Sequence, residues 1–184
     1  MVWGLKERLR RALLPISPLP EPRGPRAAVT ALLVGDPLSV LLIKRRERPG
    51  DPWSGHVALP GGFVEPSDEG PLEAALRELR EEVGVEVSVD DVVGMLSLAN
   101  PLNRPEVEVV PFVAYVEDPP KLSLGGEVEA ARWALLKHLE PRSVEVTWKG
   151  GAAVVEGFMV KDWVVWGLTA RLLKELTSRL SGLI

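Results

Sequence analysis

The sequence predicts an α+β fold in which a mixed β-sheet lies between helices. Two observations support this. Apolar runs rich in β-branched residues occur in pairs separated by turn residues, and other segments carry apolar residues at the three- and four-residue intervals of a helix. Because strands and helices alternate while hairpins also occur, we expect parallel and antiparallel pairs in one sheet covered by helices. The 184 residues suit a single domain with a sizeable core.

The first 25 residues are predicted to form a lead-in to this domain. Residues 2–14 have the spacing of a short amphipathic helix, which we expect to pack against the domain; the alternative is that its basic side touches an anionic membrane surface. The proline-rich residues 15–22 cannot continue a helix and are predicted to be extended. We therefore divide the chain into a lead-in at 1–25 and a domain at 26–184.

The strands of the domain are predicted from apolar runs and turn residues. A hairpin is expected from 27–34 and 39–43, joined by Gly35, Asp36 and Pro37, and a second hairpin over 144–160 with its turn at 149–151. Further strands are expected at 92–98, 107–116 and 128–134. A last helix is predicted from Asp162 to Arg179, with Trp163 and Trp166 on its apolar side.

The most informative helix is predicted before Gly84. Its apolar stripe is Leu72, Ala75, Leu76, Leu79 and Val83. Ser67 and Asp68 are candidate caps, Pro71 suits the first turn, and Gly84 suits the end.

Three glutamates gather on one edge of this helix. Glu78 and Glu82 are one turn apart and Glu81 lies beside them, a spacing that costs a few tenths of a kcal/mol per like-charged pair. A hard divalent cation such as magnesium would convert that repulsion into binding energy. The alternative is a solvated acidic face. The preceding Gly61 and Gly62 favour a metal or phosphate site, because glycine lets the backbone approach a ligand closely.

The stretch RELREEVGV at residues 77–85 resembles the box of the Nudix hydrolases, R-E-U-x-E-E-x-G-U with U aliphatic, and fills every fixed position. In that family a glycine and a loop glutamate precede the box at set spacings. Counting forward from Gly62 gives Asp68 as the loop acid, and counting back from Arg77 gives Glu69, because the loop holds one extra residue.

The resemblance implies a Nudix-type α/β/α sandwich and a set of site residues. Glu78 and Glu82 would be the main ligands of Mg²⁺ or Mn²⁺, and Glu81 would contribute directly or through water. The Gly61 carbonyl would complete the shell, and Arg77 would orient the glutamates. Glu82 and Arg77 are thus counted among the catalytic residues.

A general base is also needed near the attacking water. In the family an acid before a tryptophan-bearing strand often serves, and here GGEVEAARW at 125–133 offers Glu127 and Glu129. Glu127 is preferred because it follows the Gly125–Gly126 pair; the alternative is that neither acid has a special role.

Three segments are similar to the coenzyme A pyrophosphatase branch of the family: LLIKRR at 41–46, GHVALPGG at 55–62 and EPSD at 65–68. The closing WGLTARLL at 166–173 is also similar to that branch. The chain departs from the branch at Lys44–Arg46, at His56 (usually glutamine) and at Leu59 (usually phenylalanine). These departures bear on the substrate and leave the expected fold unchanged.

Substrate contacts are predicted from polar residues near these segments. Arg45, Arg46 and Arg48 suit phosphate groups, although arginines after a strand are also common surface residues. Asn100 is a candidate border of the substrate, with a plain turn as the alternative. Trp53 could stack on a base, but a core position is preferred, and the lone histidines His56 and His138 are interpreted as structural.

The leading hypothesis is a hydrolase that splits coenzyme A or an acyl derivative into 3′,5′-ADP and 4′-phosphopantetheine. Alternatives are hydrolysis of ADP-ribose, a dinucleotide or a nucleoside triphosphate, and a Nudix-fold sensor without turnover. The expected partner is a small nucleoside-diphosphate-linked molecule, with a homodimer as one option for assembly.

Composition and charge exclude several classes of partner and of structural site. The net charge of −4 argues against non-specific nucleic-acid binding, and the absence of cysteine excludes disulfides and thiolate zinc sites. No apolar run is long enough to span a bilayer and no signal peptide is recognised, so a cytoplasmic location is expected. Few amide residues and 17 prolines suggest a thermophilic source.

Overall fold

The computed structural model describes residues 3–51 and 53–184. The helices are α1 (Leu5–Ala12), α2 (Pro71–Val83) and α3 (Gly167–Arg179), with single 3₁₀ turns at Val89–Asp91 and Leu136–His138. The strands are β1 (Arg26–Val34), β2 (Ser39–Arg45), β3 (Val57–Ala58), β4 (Gly61–Phe63), β5 (Val92–Met95), β6 (Glu108–Val116), β7 (Val128–Leu135), β8 (Arg142–Trp148), β9 (Gly151–Val160) and β10 (Trp163–Val165).

The main sheet is mixed, as predicted. β1 runs parallel to β6 along its full length, and β5 continues the sheet beyond β6 in the antiparallel sense. On its other side β1 pairs antiparallel with β4 near its start and with β2 near its end. β2 in turn pairs with β3 and β7. β1 and β2 therefore diverge from their paired ends, and the short strands β3 and β4 lie between them. A separate antiparallel sheet has the order β10-β9-β8.

Alternation along the strands divides the core into two layers. Ala28 and Leu32 of β1 face α2, whereas Ala31 and Leu33 face the opposite layer, as the two-residue period of a strand requires. That opposite layer includes α1, the small sheet and α3. Leu9 of α1 is fully buried there, so the N-terminal helix packs against the domain rather than presenting an apolar face outward. The sheet therefore lies between helices, which confirms the expected α/β/α sandwich.

Most of the predicted elements are present with shifted ends. The N-terminal helix is confirmed over Leu5–Ala12, and residue 2 of its predicted span lies outside the described residues. Both hairpins are confirmed, whereas β5 ends at Met95 rather than at residue 98. The short strands β3 and β4 were not predicted, because two or three residues carry no periodicity to recognise.

Two local predictions were wrong. The last helix begins at Gly167 rather than Asp162, because Val164 and Val165 pair with β9 as strand β10 and Trp163 is buried there. The cap of α2 is Gly70 without a side-chain hydrogen bond, rather than Ser67 or Asp68. The Asp68 carboxylate instead accepts hydrogen bonds from Arg77 and from the Glu65 N–H. Pro71 and Gly84 do begin and end this helix, and Gly84 has the left-handed φ of 70° that favours glycine.

Across residues 3–51 and 53–184 the helices are too short and too polar to span a bilayer.

Candidate active site

Helix α2 carries the acidic cluster, and its apolar side fixes which way the cluster faces. Ala75, Leu79 and Val83 are fully buried against the main sheet. Glu82 lies on the flank of this stripe and is only 5% exposed, whereas Glu81 remains exposed. The amphipathic pattern of the helix therefore brings one glutamate into the protein and leaves its neighbour near solvent.

Arg77 connects the loop before α2 to the acidic cluster. Its Nε and Nη2 donate to the two carboxylate oxygens of Asp68 at 2.9 and 3.0 Å. Its Nη1 donates to Glu78 at 2.9 Å and to Glu81 at 3.2 Å, and Nη2 also donates to the Phe63 carbonyl at 3.1 Å. With its side chain only 14% exposed, the guanidinium is well placed to hold the orientation of these acids.

The two candidate loop acids make different contacts. Asp68 binds Arg77 in a two-point contact and accepts the Glu65 N–H at 2.8 Å, and the Arg77 hydrogen bonds hold the pKa of Asp68 below its usual value. The Glu69 backbone N–H donates to Glu73 at the start of α2. The acid that meets Arg77 is therefore Asp68, the one reached by counting forward from Gly62.

Glu82 is the most perturbed carboxyl of the site. Burial raises its pKa to about 7, with further repulsion from Glu78 and Glu127; the hydrogen bond from the Gly61 N–H to Oε2, at 2.8 Å, opposes the shift. Its Oε1 lies 4.0 Å from Arg45 Nη1, a distance too long for a hydrogen bond. Glu82 is thus a buried carboxyl whose negative charge is only partly compensated.

Glu78 lies against the glycine turn that precedes the loop. A Cβ on Gly62 would overlap the Glu78 carboxylate, so a larger residue at position 62 would displace that carboxylate. Burial raises the pKa of Glu78, while the Arg77 guanidinium opposes the shift. Glycine at position 62 therefore leaves the space that the Glu78 carboxylate occupies beside α2.

The predicted phosphate-binding arginines differ in their surroundings. Arg45 lines the cleft, donates to Asp51 at 3.2 Å, and has a buried Nε without a partner among the described residues. Arg46 donates to the Val128 carbonyl at 3.5 Å. Arg48 is half-exposed and pairs with Glu127 at 2.6 Å. Arg45 is therefore the arginine of this group that faces the acidic cluster directly.

The two candidate general bases, Glu127 and Glu129, differ in whether they line the cleft. Glu127 lines the same cleft as Glu78 and Glu82, and its charge contributes to the raised pKa of Glu82. Glu129 pairs with Lys44 at 3.2 Å and does not line the cleft. The geometry therefore favours Glu127 over Glu129 as the acid near the reacting water.

The acidic cluster opens into a cleft of about 630 Å³, within the range of small-molecule sites. Glu78, Glu82, Glu127 and Arg45 line what we call the acidic end. The lining from β8, β9 and α3, called the apolar end, is mostly apolar and also carries Glu156 and Arg171. The side chains of the apolar end that sequence reasoning missed as site residues are Trp148, Val155, Phe158, Trp166, Leu168 and Leu172.

The remaining predicted residues lie around the cleft. Asn100 donates its side-chain amide to the Pro105 and Val107 carbonyls at 3.1 and 2.7 Å, which holds its own loop together. Trp53 is partly exposed and lines the cleft, so the preferred core position was wrong. His56 also lines the cleft and packs on Trp166, and burial lowers the pKa of His56. His138 is exposed.

The donor set fits a hard divalent cation. Glu78, Glu81 and Glu82 supply the carboxylate oxygens that magnesium and manganese prefer, and the partly uncompensated charge of buried Glu82 would be relieved by a cation. Among residues 3–51 and 53–184, no group of three acidic or histidine side chains is already assembled as a metal cluster. Arg77 holds Oε1 of Glu78 and Oε2 of Glu81, so it orients two of the three candidate ligands.

The sequence matches the family model of the NUDIX domain over residues 24–152. The chain is 34% identical to Nudix hydrolase 15, mitochondrial, of Arabidopsis thaliana, over 92% of this chain and 64% of that protein. It is 30% identical to the uncharacterized Nudix hydrolase NudL of Escherichia coli K12, over 82% of this chain and 80% of that protein. The chain thus spans somewhat less than two thirds of the plant relative.

A solved structure shows the same fold. The MutT/nudix family protein of Enterococcus faecalis superposes with a TM-score of 0.63 at 24% identity, over 90% of this chain and 66% of that one. The family itself is shown by the match of the NUDIX domain over residues 24–152 and by the relative at 30% identity. The chain belongs to the Nudix hydrolase family.

Proposed function

We propose that this chain is a divalent-metal-dependent hydrolase that cleaves the diphosphate linkage of a nucleotide-linked metabolite. The observation that carries the proposal is the pair Glu78 and Glu82, one turn apart on α2, at the acidic end of a cleft of about 630 Å³. A pair of partly buried carboxylates with incompletely compensated charge is suited to bind cations. Because the chain belongs to the Nudix hydrolases, we propose that these cations bind the diphosphate group of a substrate.

The roles of the side chains follow from their contacts. Mg²⁺ or Mn²⁺ held by Glu78, Glu81 and Glu82, with the Gly61 carbonyl, would neutralise the diphosphate and acidify the attacking water. Arg77, locked to Asp68, keeps Glu78 and Glu81 in position. Arg45 lies on the same side of the cleft and is suited to a phosphate oxygen, with Arg46 and Arg48 on the adjoining loop.

Glu127 is proposed as the general base. As water forms its bond to phosphorus, the Glu127 carboxylate takes the proton while the bridging oxygen departs with the second phosphate group. Its ion pair with Arg48 involves two half-exposed side chains, so Glu127 can exchange Arg48 for water at little cost. Asn100 is proposed to border the substrate through the loop that it holds together.

Coenzyme A or an acyl derivative is the leading substrate, with 3′,5′-ADP and 4′-phosphopantetheine as products. The support is the similarity of residues 41–46, 55–62 and 65–68 to the coenzyme A pyrophosphatase branch, and the contact of the longer-loop acid Asp68 with Arg77. A second candidate is ADP-ribose, a dinucleotide or a nucleoside triphosphate. The NUDIX domain of Shewanella oneidensis NrtR, solved with ADP ribose, shares the fold with a TM-score of 0.51 at 22% identity.

Product analysis tests the proposal. The purified chain, with Mg²⁺ or Mn²⁺, is incubated with coenzyme A, an acyl derivative, ADP-ribose, a dinucleotide and a nucleoside triphosphate. Release of 3′,5′-ADP from coenzyme A is expected, and failure to release it rules out the leading substrate. Tight nucleotide binding without metal-stimulated turnover of any substrate would instead identify a sensor, a class in which box glutamates are usually lost. The lead-in at 1–25, the cytoplasmic location and the homodimer stay predictions.

A further inference from the structure

The apolar end of the cleft is built by the C-terminal part of the chain. Its walls come from β8, β9 and the first turns of α3, and carry the side chains Trp148, Val155, Phe158, Trp166, Leu168 and Leu172. Five of these six residues lie beyond position 152, where the match to the NUDIX domain ends. The general family pattern therefore does not account for this surface.

The wall is held in place by the core behind it. Phe158 and Leu172 are 1% and 3% exposed and belong to the same buried cluster as Trp163 and Val165 of β10. Strand β10 pairs with β9 through Val165 and Phe158, so the strand and the helix that follows it hold Trp166 beside the cleft. Such a surface is formed before any ligand arrives, which favours selective binding.

The aromatic side chains at this end contact one another rather than form a slot. Trp166 meets His56 at a ring-centroid distance of 5.1 Å and an angle of 59°, and meets Trp148 at 5.5 Å and 89°. A flat base held between two rings would need two roughly parallel faces with a gap between them, and edge-to-face pairs offer none. The walls suit a flexible apolar chain better than a base.

Charge is distributed so that the two ends suit different chemical groups. Arg45 lies at the acidic end. The two charged side chains at the apolar end have protein partners: Arg171 donates to the Asn100 backbone carbonyl at 3.0 Å, and Glu156 accepts from Lys174 at 2.6 Å. Thr169 and Asn103 add polar groups to the lining that can pair with isolated amides. A phosphate-rich half of a substrate therefore belongs at the acidic end, and an uncharged half at the other.

We propose that the apolar end of the cleft binds an uncharged, chain-like apolar group attached to the diphosphate, and that Trp148, Val155, Trp166 and Leu168 determine this specificity. The inference rests on the proposed function, because it assumes a diphosphate at the acidic end. It adds that the enzyme selects its substrate by the chain on the far side of the scissile bond.

Val155 and Val154 provide a matched pair of variants. They are neighbours on β9, but Val155 lines the cleft whereas Val154 faces solvent with 67% exposure. Val155→Gln and Val154→Gln therefore introduce the same amide on opposite faces of one strand. Trp148→Ala is a second variant, on a partly exposed residue, in case Val155→Gln disturbs folding; circular dichroism checks both.

The measurement is kcat/KM with Mg²⁺ for coenzyme A and its acetyl, butanoyl, hexanoyl and octanoyl thioesters, with ADP-ribose as the polar comparison. In the unmodified protein, kcat/KM is expected to rise roughly two- to fourfold for each methylene that the apolar end covers. Val155→Gln and Trp148→Ala should flatten this series, whereas Val154→Gln should leave the series and the ADP-ribose rate intact. A series that is flat in the unmodified protein, or equal effects of both glutamines, overturns the proposal.

A binding measurement separates this inference from the proposed function. Calorimetric titration with octanoyl-4′-phosphopantetheine, which lacks the nucleotide, is carried out without metal. Binding that is weakened at least fivefold by Val155→Gln, combined with no hydrolysis of any diphosphate, would refute the proposed function and retain the inference. Hydrolysis of diphosphates without any binding of this molecule would retain the function and refute the inference.

Discussion

At the acidic end of the cleft the reactive groups come from a short stretch of chain, whereas the apolar end is assembled from distant segments. Asp68, Arg77, Glu78 and Glu82 fall within 15 residues of one another, and one helix with its preceding loop sets their relative positions. The apolar end needs β8, β9 and α3 to meet. The proposed reactive groups are thus close together in sequence, whereas the residues proposed to select the substrate are far apart in sequence. Changes at the two ends should therefore have separable effects.

The largest expected effect at the acidic end is that of Glu82→Gln. The substitution removes one ligand charge with little change in shape, so cation placement and water activation should fail together and turnover should drop by about 10³-fold or more. Steady-state hydrolysis under saturating Mg²⁺ measures this. Glu86→Gln, on an exposed residue just past α2, is the control and should leave turnover unchanged. Near-normal rates for Glu82→Gln would refute its assignment as a ligand.

Glu127→Gln tests the proposed base from outside the helix. Loss of a general base should lower kcat by about 10²-fold or more, and steady-state hydrolysis under saturating Mg²⁺ measures this. Glu129→Gln is the matched control, because Glu129 pairs with Lys44 and does not line the cleft. If the two variants behave alike, Glu127 is not the base, and the catalytic carboxylates would all belong to α2.

Arg77→Lys tests the positioning role. A lysine cannot reproduce the two-point contact with Asp68 together with the hydrogen bonds to Glu78 and Glu81, so kcat should fall by about 10²-fold through misplaced carboxylates. A weaker apparent affinity for Mg²⁺ should accompany this fall.

The control for Arg77→Lys is Arg80→Lys, on the exposed side of the same helix. Asp68→Asn should reproduce part of the defect, and Glu69→Gln should not, since the acid that binds Arg77 is Asp68. Normal activity of Asp68→Asn would contradict the role of this contact.

The smallest effect concerns stability rather than rate. Without metal, Glu82 has a pKa of about 7 in the folded chain against an ordinary 4.5, so the folded state holds more protons than the unfolded state between those values. The free energy of unfolding should therefore fall as pH rises from about 4.5 to 7, by about 3 kcal/mol from this group.

Glu82→Gln should abolish this fall, so the metal-free variant should be more stable than the unmodified chain at pH 8 and similar to it near pH 4. Urea denaturation in a chelating buffer at a series of pH values measures the difference. Equal stability at pH 8 would show that Glu82 is adequately compensated without a cation. Substitutions at the apolar end, such as Val155→Gln, should not alter this pH dependence.

The local predictions succeeded where the determining contacts are close in sequence. The stripe from Leu72 to Val83 follows the helical period, and the left-handed Gly84 ends the helix. The contact of Arg77 with Glu81 spans four residues, so helical geometry alone implies it. Helical spacing does not imply the contact of Arg77 with the adjacent Glu78, and the structure shows it at 2.9 Å. Asp68 could not be chosen over Glu69 by counting, because counting from the two ends of the loop gives different residues and only the folded loop shows which acid meets Arg77.

The C-terminal region was predicted less well for a related reason. Trp163, Trp166 and Ala170 have spacings that suit a helix, yet Val164 and Val165 find strand partners on β9, and that pairing moves the start of α3 to Gly167. A short segment with β-branched residues is decided by the partner it meets, and the partner is not visible in the local pattern. The same displacement turned Trp166 from a helical core residue into part of the cleft wall.

The sequence by itself determined the helix that carries the glutamates, the order of most strands and the membership of the family, because these depend on spacing within a few residues. Only the tertiary structure decided that Glu82 is buried, that Glu127 shares its cleft, and that Trp148 and Trp166 meet across it. Burial and contact between distant segments depend on how β1 and β2 diverge and how the small sheet packs. No single stretch of chain contains that information.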